Sequence, residues 1–112
     1  MQALQVPEYL GVRHILTAPQ LVPRTAPYIR ERDFDFDGLY EQAATMSGGE
    51  KLLVRIAADL WNAGGDVKLS DVVRRLDWAN FERVVQGFQL ARGSFPWGLV
   101  DGLDGDKEEF AA

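Results

Sequence analysis

Ser47 to Gly65 reads SGGEKLLVRIAADLWNAGG, and the rest of the chain can be placed from it. Ser47 followed three residues later by Glu50 is the pattern of a capping box, in which each side chain satisfies the other residue's backbone N–H. Leu53, Ile56, Ala57, Leu60 and Trp61 recur at the spacing of one helical face, and Gly64 with Gly65 supplies a stop. The stretch predicts an amphipathic helix of about four turns, whose apolar stripe other elements must cover.

Downstream, Ser70 is expected to cap a short helix, DVVRRL, with Leu69, Val72, Val73 and Leu76 inward and Arg74 and Arg75 outward. Asp77 is expected to cap WANFERVVQGFQLAR, with Trp78, Phe81, Val84, Val85 and Phe88 as its core stripe and Gly93 as the residue that ends it. On that reading Asn80, Glu82, Arg83, Gln86 and Gln89 face outward and Leu90 is exposed. Gly87 costs about 1 kcal/mol against alanine in a helix interior, so its presence predicts that something approaches the backbone there.

Upstream, Pro7, Pro19, Pro23 and Pro27 argue against any long regular element in residues 1–33, because each lacks a donor and biases the residue before it away from helix. Leu10, Val12, His14 and Leu16 alternate with Gly11, Arg13, Ile15 and Thr17, a pattern compatible with a short strand or a brief helix. The segment reads as an extended arm, too rich in apolar residues to be free. YIRERDFDFD, residues 28–37, alternates with period two, which would set Phe34 and Phe36 opposite the acidic residues. Asp37 is then the expected N-cap of a helix GLYEQAATM with Leu39, Tyr40 and Ala43 inward.

The expected fold is therefore mainly α. It is a small orthogonal helical bundle over residues 34–93, in a winged-helix or helix-turn-helix order, with an N-terminal arm over 1–33 and an apolar and then acidic tail over 94–112. A chain of 112 residues fits one domain. Having no cysteine, it offers neither disulfides nor thiolate metal sites, and with one histidine a structural zinc site has too few ligands. No stretch approaches the roughly 18 apolar residues of a membrane span, so a cytoplasmic protein is expected. A net charge of −5 opposes diffuse attraction to phosphate backbones.

Two motifs suggest chemistry. DFDFDG, with Asp33, Asp35 and Asp37, matches the opening half of a calcium loop, but Ala44 stands where a bidentate glutamate should close it; a solvated acidic edge and a helix cap explain it better. MSGGE resembles the signature segment of ABC ATPases, yet no GxxxxGK[ST] loop accompanies it, and the capping box accounts for it. Arg55 and Asp59 have the spacing of a solvated helix ion pair. The lone His14 has no nucleophile or acid set around it in the sequence and reads as a packing or surface residue. No catalytic residue, cofactor or metal is expected.

The run GEKLLVRIAADLWN followed by LSDVVRRLDWANFERVVQGFQLARG resembles small helical proteins of actinobacterial and phage type, some of them tail-assembly accessory proteins. The resemblance covers residues 34–93 and rests on helix texture and a Leu-Trp-Asn helix end. It implies a non-enzymatic protein that works by binding other chains, and it carries no catalytic residue over. The expected function is that of a protein-protein interaction module that binds a protein partner or its own copies. Phe95, Pro96, Trp97 and Leu99 in the preorganised segment SFPWGLV, together with an exposed Leu90, are the expected contact residues. The alternative is a helix-turn-helix DNA-binding protein with Arg74, Arg75 and Arg83 on phosphates, which the acidic balance disfavours.

Overall fold

The structure is a computed structural model that describes residues 2–93, with side chains from Val6 onward. Among the described residues six α-helices follow one another: α1 (Gln2–Leu16), α2 (Val22–Thr25), α3 (Phe36–Ala43), α4 (Gly48–Asn62), α5 (Leu69–Arg75) and α6 (Trp78–Ala91), with a 3-10 turn at Ala26–Tyr28. The mainly helical bundle is as expected; its composition is not.

The largest correction is α1, which occupies the segment expected to be an extended arm and runs through Pro7. Val12, Ile15 and Leu16, spaced i, i+3 and i+4, are fully buried, and Leu10 is nearly so. Burial worth about 1.5–3 kcal/mol per large aliphatic side chain outweighs the roughly 3 kcal/mol of an interior proline. Arg13 lies in the last turn, where its positive charge complements the helix dipole. Helix α1 packs on both α6 and α4. It takes the place in the bundle that the sequence had assigned to the α5 helix, which is attached chiefly through Val72 and Leu76.

Helix α4 is the predicted element. Ser47 Oγ accepts from Glu50 N–H at 3.2 Å, and Glu50 Oε1 accepts from Ser47 N–H at 3.1 Å, completing the capping box. Its end differs from expectation, since the left-handed residue is Ala63, at φ 62°, and neither glycine. Gly65 serves close approach instead, because a Cβ there would lie 2.0 Å from the Arg55 carbonyl oxygen. Arg55 and Asp59, expected to form a solvated pair, both hold this loop: Arg55 donates to the carbonyls of Gly65 and Asp66, and Asp59 Oδ1 accepts from Gly65 N–H.

The 28–37 stretch folds back on itself instead of running extended. Ile29 and Phe34 form an isolated antiparallel bridge, closed by Arg30 N–H to Asp33 O at 2.9 Å. Phe34 enters the core, stacking on Tyr9 with ring centroids 4.9 Å apart and meeting Trp61 edge-on at 5.1 Å. Asp35, and not Asp37, caps α3 by accepting from Gly38 N–H at 3.1 Å. Leu39 and Ala43 of α3 are buried as expected, but Tyr40 is exposed. That bridge is the nearest approach to a sheet among the described residues, and it precedes α3, so nothing in them shows a winged-helix topology.

Helix α6 begins at the predicted cap, with Asp77 Oδ1 accepting from Asn80 N–H at 2.8 Å, and is followed by Gly93 at φ 89°. Its buried face is Val84, Gly87 and Leu90, rotated from the expected stripe. The rotation follows from the crossing with α1. A Cβ on Gly11 would lie 2.3 Å from the Gly87 carbonyl oxygen, and one on Gly87 would lie 2.6 Å from Ile15 Cγ1. The two backbones touch there, which is the close approach that Gly87 predicted, and only residues without a side chain permit it.

Candidate interaction face

On α1 and α6 the polar residues expected to face solvent instead form a seam. Gln20 donates to Asn80 Oδ1 at 2.6 Å, and Arg83 donates through Nε to the His14 carbonyl at 2.7 Å and through Nη2 to the Thr17 carbonyl at 3.1 Å. His14 Nε2 pairs with Gln86 Oε1 at 2.8 Å. Partners descend along α6 as they ascend along α1, so the helices are antiparallel, and Arg83 supplies donors to carbonyls left open where α1 ends. Burial holds the His14 imidazole below its usual pKa; the Gln86 hydrogen bond works in the opposite direction, and the Arg83 charge adds to the lowering.

Turning Val84, Gly87 and Leu90 inward turns the aromatic residues of α6 partly outward. Trp78 is 77% exposed, and Phe81 and Phe88 are each more than a third exposed. At i, i+3 and i+10 they share one face of the helix. Leu69 is 79% and Val73 65% exposed on α5, one turn apart and so also on a common side. Both sets had been expected in the core. The cap of α5 is Lys68, with no side-chain hydrogen bond, and not Ser70.

Leu69 and Val72 of α5 and Phe88 of α6 border an apolar groove of about 230 Å³, whose other lining residues are Ile56, Asp59 and Leu60 of α4 and Val67. Ligand pockets for drug-sized molecules are roughly 300–1,000 Å³, so this groove has the volume to take side chains of a polypeptide. Scattered exposed apolar residues need no explanation, whereas a contiguous set of this kind marks a contact surface.

A second depression, of about 520 Å³, is polar and lies between the N-terminal ends of α4 and α6, with Gln20, Ser47, Gly49, Glu50, Arg75, Asp77, Ala79 and Asn80 around it. It contains the MSGGE segment. The Glu50 and Asp77 carboxylates line it as caps of the two helices, two negative charges against the single positive charge of Arg75.

The expected site residues are therefore redistributed. Leu90 is buried at 2% exposure and unavailable to a partner, because it continues the Val84–Gly87 face. Phe95, Pro96, Trp97 and Leu99 lie outside the described residues. Of the three arginines proposed for phosphate contact, Arg74 and Arg75 are exposed, while Arg83 is committed to the end of α1. Asp33, Asp35 and Asp37 do not converge, and no cluster of three potential metal ligands occurs among the described residues. No helix of the described residues is long and apolar enough to cross a membrane. The exposed α5/α6 face was missed because the largest apolar side chains were assigned to the core. The glycine within α6 was the signal that the packed face lay elsewhere.

No family model matches the chain, and comparison with curated proteins and with solved structures returns no match.

Proposed function

We propose that the protein is a non-enzymatic interaction module that binds another polypeptide through the α5/α6 face, with Leu69, Val73, Trp78, Phe81 and Phe88 as its contacts. The observation that carries the reading is the exposure of Leu69 at an apolar groove that Phe88 also lines, with Trp78 exposed on the side of α6 that carries Phe88. Tryptophan at the centre of a contact is among the residues that dominate binding energy. The net charge of −5 and the internal engagement of Arg83 favour a protein partner over nucleic acid. The resemblance of residues 34–93 to phage-type tail-assembly accessory proteins supplies the proposed setting, assembly of a larger particle.

The test compares the full chain with a Leu69→Ser, Trp78→Ser variant. Side chains this exposed contribute little to folding, so melting temperatures should agree within the roughly 0.5 kcal/mol of ordinary surface substitutions. The parent chain should show a solution mass above 12.5 kDa or retain a defined protein from a host extract, and the variant should lose that property. A parent chain that stays monomeric at every concentration and retains nothing beyond what the variant retains refutes the reading.

A further inference from the structure

We infer that the polypeptide bound by the α5/α6 face is a second copy of this chain, docked about a two-fold axis with the two α6 helices antiparallel, so that Trp78 of each copy enters the apolar groove of the other. The inference rests on the reading of that face as a contact surface and names its occupant.

The first observation is a period. Trp78, Phe81, Val85 and Phe88 stand at i, i+3, i+7 and i+10, the alternating three- and four-residue spacing of a coiled-coil seam. Helix α6 has 14 residues, so two heptads run its whole length. At 3.6 residues per turn, Gly87 and Leu90 fall on the opposite side, where Gly87 meets α1. The helix therefore carries a second apolar face besides the one spent on α1. Trp78, Phe81 and Phe88 are exposed on it, and Val85 is partly exposed.

The second observation is a projection and a hollow that belong to the same face but cannot meet within one chain. Trp78 is 77% exposed, while the groove lies at Phe88 and Leu69, ten helical residues or about 15 Å away. A two-fold contact brings such features together, because residue i then meets residue j while j meets i. Antiparallel seams set Trp78 opposite Phe88 of the second copy and Phe81 opposite its Val85, each pair formed twice. Trp78 is thereby delivered to the groove. A parallel pair would instead set Arg92, the next seam position at i+14, against its own copy, with like charges in contact.

Charge and area agree with this occupant. The seam positions from Trp78 to Phe88 are uncharged, so a charged partner finds nothing there to pair with. At about 150–250 Å² per aromatic side chain, the exposed parts of Trp78, Phe81 and Phe88, with those of Leu69 and Val73, present roughly 400–600 Å² on each copy. Pairing removes about twice that area from water, and with its polar rim the contact reaches the lower end of the roughly 1,200–2,000 Å² of a specific interface. A dimer in concentration-dependent exchange with monomer is the expected state.

The experiment uses the full chain, purified alone, in an analytical ultracentrifuge from about 1 μM to 1 mM. The mass should rise from 12.5 kDa to twice that value and stop there. Trp78→Ala should raise the midpoint concentration at least about tenfold with its melting temperature unchanged. The chain has no cysteine, so Arg92→Cys takes a single nitroxide spin label. Mixed with isotope-enriched, cysteine-free chain above the midpoint, the labelled chain should remove more than half the intensity of the enriched Trp78 indole N–H signal, and the intensity should return on dilution. A chain that stays at 12.5 kDa throughout overturns the inference, whether its face is open or covered by residues of the same chain. So does a dimer that Trp78→Ala leaves unchanged, or one in which the label spares the enriched Trp78. A strict monomer that still retains a foreign polypeptide through Leu69 and Trp78 overturns the second copy as occupant and leaves the partner-binding reading standing, so the two failures are distinct.

Discussion

Replacing Gly11 with alanine tests the antiparallel contact of α1 and α6 more directly than any other substitution. A methyl group there would lie 2.3 Å from the Gly87 carbonyl oxygen, 2.8 Å from Ala91 Cβ and 2.9 Å from Ala91 N. Two of those three atoms are backbone, so no rotamer change relieves the clash and the helices must separate. Overpacking of this kind costs about 1–3 kcal/mol or more, while alanine returns about 1 kcal/mol of helix propensity. For a backbone clash the upper end applies, and a net loss of about 2 kcal/mol is expected, or roughly 8–16 °C in melting temperature for a domain of this size. Gly87→Ala should cost less, because its closest contacts are Ile15 Cγ1 at 2.6 Å and Cδ1 at 2.8 Å, atoms of a side chain that can shift. Adding Ile15→Val, which removes Cδ1, should recover part of the loss in Gly87→Ala and none in Gly11→Ala. Thermal and urea unfolding followed by circular dichroism provides the measurement. A Gly11→Ala protein as stable as the parent, or more stable, would refute the packing described for the two helices.

Other expectations follow from the same seam and core. His14 binds its proton less readily folded than unfolded, so its contribution to stability is present above its ordinary value of 6.5 and is lost as pH falls below that value toward the depressed one. The melting temperature should decline across that window, and His14→Gln should flatten the decline. Arg83→Met keeps much of the stem but removes the donors to the His14 and Thr17 carbonyls; a loss of about 1.5–3 kcal/mol is expected for charge-assisted bonds, with hydrogen exchange accelerating first at the C-terminal end of α1. Thr25 is fully buried and donates to the Leu16 carbonyl at 2.7 Å, so Thr25→Val, close in shape, should cost about 1–3 kcal/mol by orphaning that carbonyl. An unchanged urea midpoint would count against the Thr25 assignment.

The parts of the fold that could be read from sequence are those fixed by local chemistry. The Ser47–Glu50 box, the Asp77 cap and the left-handed Gly93 each depend on a few neighbouring atoms, and each appears as expected. Gly87 was informative for the same reason, since a helix tolerates glycine at a cost that only a neighbour's proximity repays. What could not be read depends on elements distant in sequence. Helix α1 carries a proline and an accidental period-two alternation, and only its burial against α4 and α6 decides its conformation. The faces of α5 and α6 were misassigned because hydrophobicity ranks Trp78, Phe81 and Leu69 above glycine, whereas contact area at a close helix crossing is supplied by backbone. The candidate face was legible only in its residues, not in its exposure.

The pairing of α1 with α6 also bears on how the chain matures as it is made. His14 and Gln86, which meet across the seam, are 72 residues apart, so on a ribosome α1 emerges long before the helix that completes its burial. Until then α1 has α4 and the Tyr9–Phe34 contact, but not the helix that Gly11 and Ile15 meet at Gly87. Closing so long a loop carries an entropic cost that grows slowly with its length, and the decisive step waits until α6 has left the exit tunnel. Nascent chains stalled before α6 should therefore be protease-sensitive throughout, including in α4, and acquire resistance together once Leu90 is outside.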